Sequence, residues 1–336
     1  LYKIIGRMKK RIFINIHYLE IGGAERALLG LLSALDPNKV DVDLFVNQHT
    51  GEFMSLIPKY VNLLPEVSEY TCIERSMKNI LKEGYIGIAL RRLWAKYEYK
   101  QYLKKISAKE SKHDYSIFQY VADAVEGALP SLEYLGEYDL AISFLQPHNI
   151  VLNKVKAKRK ICWIHTDYST MHVNHDKELP IWSGFDHIVS ISNDCTRAFL
   201  KAFPELQDKI ILIENILSPF FIRQQAELDD VSTEMLNETG VTKLLSIGRF
   251  APPKNFEAIP QICAEMERLG VNFKWYIIGY GNDSGIQTAL DKYKMHHRMI
   301  LLGKKINPYP YIKACDIYIQ PSIYEGKSVT VREAQI

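Results

Sequence analysis

The sequence predicts an α/β protein made of two doubly wound parallel-sheet domains. Three observations carry this. The chain has 336 residues, more than one hydrophobic core usually organises. Short β-rich apolar runs alternate with helical patterns, as in sheets joined by crossover helices. A polar, acidic stretch from Ser218 to Thr242, with Glu227, Asp229, Asp230 and Asn237, separates two such alternations. The 47% hydrophobic content supplies a core for each half.

Strands are expected at Arg11–Ile16, Val42–Val46, Tyr138–Phe144, Lys160–His165 and His187–Ser192 in the first half. After the first of these, Gly22-Gly23 leads into Ala24, Ala27, Leu28, Leu31, Leu32 and Leu35, a stripe at helical spacing. The second alternation places strands at Lys243–Gly248, Lys274–Gly279, Met299–Leu302 and Asp316–Pro321. The expected organisation is a first domain over 1–217 with a basic helical insertion at about 70–135, a linker over 218–242, and a second domain over 243–336. Two such sheets are expected to face one another across a cleft at the carboxyl ends of their strands, where ligands of doubly wound sheets bind.

Composition excludes some classes. Apolar runs such as Leu244–Ile247 are strand-sized, far short of the roughly 20 residues that span a bilayer. Leu1–Lys10 is basic but lacks the apolar core of a secretion signal. Five widely spaced cysteines without a CxxC pair fit reduced thiols in a cytoplasmic setting. The net charge is +3, yet residues 75–112 hold 11 basic and 3 acidic residues interleaved with Trp94, Tyr97, Tyr99 and Tyr102. That segment suits an anionic membrane surface, with Leu90, Leu93, Trp94 and Tyr97 on one helical face and Arg91, Arg92, Lys96 and Lys100 read as solvated. The competing reading packs that same face inward. No nucleic-acid motif accompanies the basic stretch.

Two motifs carry chemistry. Near the end stands Pro321-Ser-Ile-Tyr-Glu-Gly-Lys-Ser-Val-Thr-Val-Arg-Glu-Ala-Gln335, with Glu325 and Glu333 separated by seven residues. Upstream, Ser246-Ile-Gly-Arg-Phe-Ala-Pro-Pro-Lys-Asn255 places Arg249 after a strand and Lys254 at the expected start of the next helix. Together they resemble the E-x7-E and strand–GR–x4–K elements of retaining GT-B glycosyltransferases, the glycosyltransferase family 4-like "group 1" enzymes, whose domains are Rossmann-like. The spacing has a physical logic. Gly326 permits close backbone approach, and a helix starting near Ser328 aims free N–H groups at a diphosphate, which makes Gly326, Lys327 and Ser328 candidate donor-binding residues. Glu333 then lies about 7.5 Å along that helix, placed to accept from ribose hydroxyls. Arg249 and Lys254 are two fixed cations for a departing nucleotide diphosphate, a task done elsewhere by a divalent metal.

His165 in Cys162-Trp-Ile-His-Thr-Asp167 ends a strand, and the resemblance gives such a histidine a hydrogen bond to the donor sugar. Gly22 and Gly23 resemble the family's first loop, while Gly279 of Gly279-Tyr-Gly281 reads as a turn near the donor phosphates. Ser190-Ile-Ser192 and Ile213-Glu-Asn-Ile216 extend the likeness, which is weakest over Tyr70–Tyr134. His165, His172, His175 and Asp176 are metal-like on paper without a supporting pattern, and Asp41-Val-Asp43 imitates a metal-binding D-x-D at the wrong end of a strand.

The resemblance therefore implies metal-independent, retaining transfer from a UDP-sugar, or a GDP-sugar, to a glycan or lipid-linked acceptor in bacterial surface polysaccharide synthesis. It implies no cofactor, and a cytoplasmic enzyme that is peripheral on the inner face of the plasma membrane. Family members continue beyond Glu333, so the chain reads as truncated. A sugar-nucleotide epimerase and a non-catalytic GT-B subunit are the competing readings.

Overall fold

The computed structural model describes residues 9–323, Glu325 and 328–336. The chain divides into two compact units, Leu1–Ile216 and Leu217–Ile336.

The first unit is organised by seven strands: β1 (Lys10–Ile16), β2 (Val40–Val46), β3 (Asn62–Leu63), β4 (Leu140–Ser143), β5 (Lys160–Ile164), β6 (His187–Ser190) and β7 (Ile210–Leu212). Their order is β3-β2-β1-β4-β5-β6-β7, and every pair is parallel. Such a sheet is covered on both faces, so its central strands are apolar almost throughout. In β1, Ile12, Ile14 and Ile16 enter one core layer with Leu28 and Leu32 of the helix Gly23–Ala34. Phe13 enters the opposite layer with Phe45, Tyr138 and Cys162, as the period of two requires. The expected strands are present. The short β3 and β7 were not expected, because two or three residues hold no readable alternation.

Between β3 and β4 the basic insertion is helical: Ser68–Thr71, Met77–Lys82, Ile86–Leu103, Ala108–Lys112 and Ile117–Glu126. Ser107 and Glu110 close a reciprocal capping box. Ile86–Leu103 packs on Ile117–Glu126, with Ile88, Ala89 and Ala95 buried and Arg91 donating to the Ala124 carbonyl at 3.1 Å. Two expectations change here. Leu90, Leu93, Trp94 and Tyr97 are exposed, which removes the reading that packs them inward. Arg92 is not solvated: it is buried, donating to the carbonyls of Cys72 and Arg75 at 2.7 and 2.6 Å. Of the D-x-D imitation, Asp41 is exposed beside Lys9, whereas Asp43 is half-buried and accepts from Tyr138, Arg11 and Asn62. Asp43 thus braces the sheet's amino end and is not a purely surface group.

In the second unit, β8 (Thr242–Ile247), β9 (Phe273–Ile278), β10 (Met299–Gly303) and β11 (Ile317–Tyr318) run parallel in the order β10-β9-β8-β11. The last strand is shorter than the expected Asp316–Pro321. Ile259–Arg268 and Ser284–Tyr293 cover one face with Phe256, Ile259, Cys263, Ile286 and Leu290. The stretch read as a linker belongs to this unit. Its helix Pro219–Ala226 packs on Tyr309–Ala314, and Val231 and Met235 are buried with Leu245, Tyr276 and Tyr311. Polarity on its outward positions concealed those apolar contacts. Among the described residues no helix is long and apolar enough to cross a membrane.

Candidate functional site

Doubly wound sheets bind ligands where the strand order reverses, beyond the carboxyl ends of the strands. In the second unit that point lies between β8 and β11. A hydrogen-bond chain fixes these strands together: Trp275 Nε1 donates to Ser246 Oγ at 3.0 Å, and Ser246 Oγ donates to the Ile319 carbonyl at 2.6 Å. The loops beyond are tied as well. Asn255 Nδ2 donates to the Pro321 carbonyl at 3.3 Å and the Ile323 amide to the Pro253 carbonyl at 2.8 Å.

This scaffold brings the two sequence motifs together. Lys254 Nζ lies 2.5 Å from Glu325 Oε1 although 71 residues separate them. The same oxygen accepts from Ser322 Oγ at 2.6 Å and Gln320 Nε2 at 3.1 Å. Lys254 ends a short 3-10 turn, Pro252–Lys254, and does not open a helix as expected; the α-helix begins only at Ile259. The left-handed Asn255, φ 58°, makes that break. Arg249 is exposed and has no ion-pair partner among the described residues. The pair leaves two ammonium protons of Lys254 and the whole Arg249 fork for an anion.

Gly279 is set by sterics. A Cβ there would stand 2.4 Å from the Gly248 carbonyl oxygen and 2.5 Å from the Phe250 ring, so the loops after β8 and β9 meet only over a glycine. Ser328 caps the helix Val329–Ala334, its Oγ accepting from the Val331 amide at 3.4 Å. Glu333 on that helix is 1% exposed, and its Oε1 accepts the Tyr309 hydroxyl at 2.8 Å. Gly326 and Lys327 lie outside the described residues.

In the first unit the reversal falls between β1 and β4, and the groups there are of another kind. His17 follows β1, Asn47 follows β2, Ser143 ends β4, and His165 follows β5. Asn15 Nδ2 donates to Asn47 Oδ1 at 2.7 Å, and Asn47 Nδ2 lies 3.5 Å from His17 Nδ1. His17 Nδ1 is 2.7 Å from Glu74 Oε1, and this shorter contact makes Nδ1 the donor. Burial raises the Glu74 carboxyl, but the His17 hydrogen bond and the His17 and Arg92 charges together outweigh it and hold the pKa below the ordinary value. Ser143 Oγ meets His148 Nδ1 at 2.7 Å. His165 packs on Phe144 with ring centres 4.6 Å apart.

The Nε2 atoms of His17, His148 and His165 are all buried without a hydrogen-bond partner. Burial, with the charges of His17 and His165, lowers His148 to about 3, and burial lowers His165 to about 3. Both rings are neutral at physiological pH, able to serve hydroxyls without adding charge. Unsatisfied buried nitrogens are costly, and His49 Nε2 and His187 Nδ1 share that state in the same unit. Of His17, His148 and His165 the sequence reading found only the last. His17 and His148 sit by the same strand-end logic, whereas Glu74 comes from the insertion and carried no signal.

The loop after β1 also carries Gly22, and Gly23 opens the helix that follows. Gly22 caps the helix Gly23–Ala34, and the Glu25 carboxylate already lies so close that a Cβ at Gly22 would stand 2.0 Å from it, while Gly23 is open. His172 binds Asp114 at 2.9 Å, His175 lies 3.3 Å from Glu205, and Asp176 is fully exposed. Among the described residues no group of three or more His, Cys, Asp or Glu side chains is arranged to hold a metal.

The same fold recurs in solved glycosyltransferases. A glycosyltransferase from Rickettsia africae ESF-5 superposes with a TM-score of 0.58 at 14% identity over 97% of this chain and 77% of that one. HepE of Anabaena, in complex with UDP and glucose, gives 0.59 at 13% over 97% and 78%. A TarM variant of S. aureus, in complex with Fondaparinux, alpha-GlcNAc-glycerol and UDP, gives 0.59 at 12% over 97% and 83%. These likenesses define the class: the chain has the GT-B fold of glycosyltransferases. Within it, residues 232–336 match the family model of the glycosyl transferases group 1. No curated protein sequence matches the chain.

Proposed function

We propose that this chain transfers a sugar from a nucleotide diphosphate donor to a glycan or lipid-linked acceptor, with retention of anomeric configuration and without a metal. A UDP-sugar is the favoured donor and a GDP-sugar the alternative. One observation supports the reading above all: Lys254 and Glu325, drawn from separate motifs, meet at the β8/β11 switch point, and the exposed Arg249 stands two residues after β8.

Cleaving the bond between the sugar's C1 and the diphosphate leaves negative charge on the departing phosphate. Fixed cations that gain strength as this charge grows lower the barrier, because they bind the transition state better than the donor. Lys254 and Arg249 have that role. Glu325, held by Lys254, Ser322 and Gln320, accepts from sugar hydroxyls through its remaining lone pairs. Glu333 takes the ribose, exchanging or sharing the Tyr309 hydroxyl it now accepts. His165 is neutral and donates to, or accepts from, a sugar hydroxyl. No side chain is assigned as a covalent nucleophile, so the acceptor attacks on the face the diphosphate leaves. Bacterial surface polysaccharide synthesis, at the cytoplasmic face of the plasma membrane, is the proposed setting.

The test is product release from a panel of UDP- and GDP-sugars, with and without glycan and lipid-linked acceptors, followed by determination of the anomeric configuration formed. Release of UDP or GDP with an α-linked product from an α-linked donor supports the reading. Turnover of none of the donors, or an inverted product, refutes it.

A further inference from the structure

The helix Ile86–Leu103 has two apolar faces. One, with Ile88, Ala89 and Ala95, is buried against the first unit. The other carries Ile86, Leu90, Leu93, Trp94 and Tyr97, exposed by 58, 61, 51, 59 and 54%. At 3.6 residues per turn these five fall within an arc of about 100°, roughly opposite the buried face. Trp94 and Tyr97 lie side by side with ring centres 5.6 Å apart. Single exposed apolar residues need no explanation, but five contiguous ones mark a surface with a partner.

The surrounding charge indicates which partner. On the helical wheel Arg91 and Lys96 flank the stripe on opposite sides, and Lys100 and Lys104 continue it at the carboxyl end. All four are exposed. Of the three acids in residues 75–112, Glu83 is paired with Arg75 and Glu110 is spent in its capping box, leaving Glu98, half-buried. The segment's net charge is +8, from 11 basic and 3 acidic residues. Protein interface cores favour aromatics but are depleted in lysine. An apolar stripe with Trp and Tyr, bordered by cations on both sides, fits instead a bilayer whose acyl boundary takes the stripe and whose anionic headgroups take the border.

We propose that the helix Ile86–Leu103 lies in the plane of an anionic lipid surface, its Ile86, Leu90, Leu93, Trp94 and Tyr97 face entering the headgroup region. The proposal deepens the membrane-face reading above and rests on it for its purpose, which is to hold the enzyme where a lipid-linked acceptor is presented. Burial of Arg92 and Ala95 against the fold keeps the helix oriented, so insertion needs no unfolding.

The experiment is co-sedimentation of the whole chain with phosphatidylcholine vesicles, with and without phosphatidylglycerol, at low and high salt. Two variants are compared with the wild type: Leu90→Ser/Trp94→Ser, and Arg91→Ser/Lys96→Ser/Lys100→Ser/Lys104→Ser. Thermal unfolding verifies that both fold, and sedimentation velocity without lipid reads the oligomeric state. The wild type is expected to bind phosphatidylglycerol vesicles at low salt and to lose about tenfold or more at 0.5 M salt, where charges are screened within a few ångströms. The apolar variant loses about tenfold or more at either salt. The charge variant loses the preference for phosphatidylglycerol. Absent binding at low salt, or variants that bind like the wild type, overturns the proposal. So does a wild-type dimer that the apolar variant dissolves, because a second copy then covers the stripe. Donor hydrolysis in the same samples separates the two readings: hydrolysis without vesicle binding rejects the docking alone, and vesicle binding without hydrolysis rejects the transferase alone.

Discussion

At the β8/β11 switch point the polar groups are charged and partly exposed, the Lys254 and Glu325 side chains each 27% accessible and Arg249 open to solvent. At the β1/β4 switch point the His148 and His165 rings are neutral, His148 is 1% exposed and three imidazole nitrogens lack partners, while the Glu74 carboxylate, 38% accessible, is engaged by His17. The same topological position is thus furnished for two chemistries. A diphosphate brings charge and needs fixed counter-charge; hydroxyl groups bring none, and a buried ionised group beside them would cost several kcal/mol. Which end of which sheet a residue occupies locates a site, but the charge state there indicates what the site receives.

Removing the charge at one point and leaving the other intact should separate these roles. The largest effect is expected for Lys254→Ala, with turnover reduced about 10²- to 10³-fold, the loss typical of one electrostatic contact to a developing anion. Arg249→Ala should lower turnover in the same sense and donor affinity less, read from kcat and KM separately. Next comes Glu333→Ala, which should weaken UDP binding by roughly 10- to 100-fold if the carboxylate holds ribose. Tyr309→Phe sharpens this, since it removes one hydrogen bond from the carboxylate and keeps the carboxylate itself, and should lower UDP affinity far less than Glu333→Ala. An equal loss in both variants would make the pair a packing element.

The β1/β4 site should declare itself through pH. The folded-state pKa of His148 and of His165 lies at about 3, below the ordinary 6.5, so the unfolded chain binds more protons between those values. The stability these rings contribute is complete above about 6.5 and is lost as pH falls toward 3, at up to about tenfold in the folding constant per pH unit for each ring. Urea unfolding between pH 4 and 7 should show that slope, and His148→Asn should flatten it by about one proton. The smallest effect is expected from EDTA, which should leave turnover unchanged because cationic side chains supply the charge. Loss of activity restored by Mg²⁺ would overturn that assignment.

The sequence made the β8/β11 site readable and the β1/β4 site almost invisible, for a physical reason. Glu325, Glu333, Arg249 and Lys254 stand at fixed spacings because local elements, a strand end and a helix start, set their positions. His17, Asn47, Glu74 and His148 are gathered by the order of strands and by an inserted helix, which no local period encodes. The strands likewise were readable where burial on both faces gave continuous apolar runs. β3 and β7 were too short, and 218–242 hid its core contacts, Val231 and Met235, among acids. The stripe on Ile86–Leu103 was visible as a pattern; only the packing of Ile88 and Ala95 showed that it faces outward.

The central claim is that Lys254 at the β8/β11 switch point receives the β-phosphate of a nucleotide. Titration calorimetry of UDP and UMP against the wild type and Lys254→Ala tests it most directly, since the two ligands differ by that phosphate alone. The wild type is expected to bind UDP about 10- to 100-fold tighter than UMP, the range of a charge-assisted hydrogen bond, and Lys254→Ala to erase most of the gap while leaving UMP affinity unchanged. An equal preference for UDP in both proteins, or none in the wild type, would contradict the account.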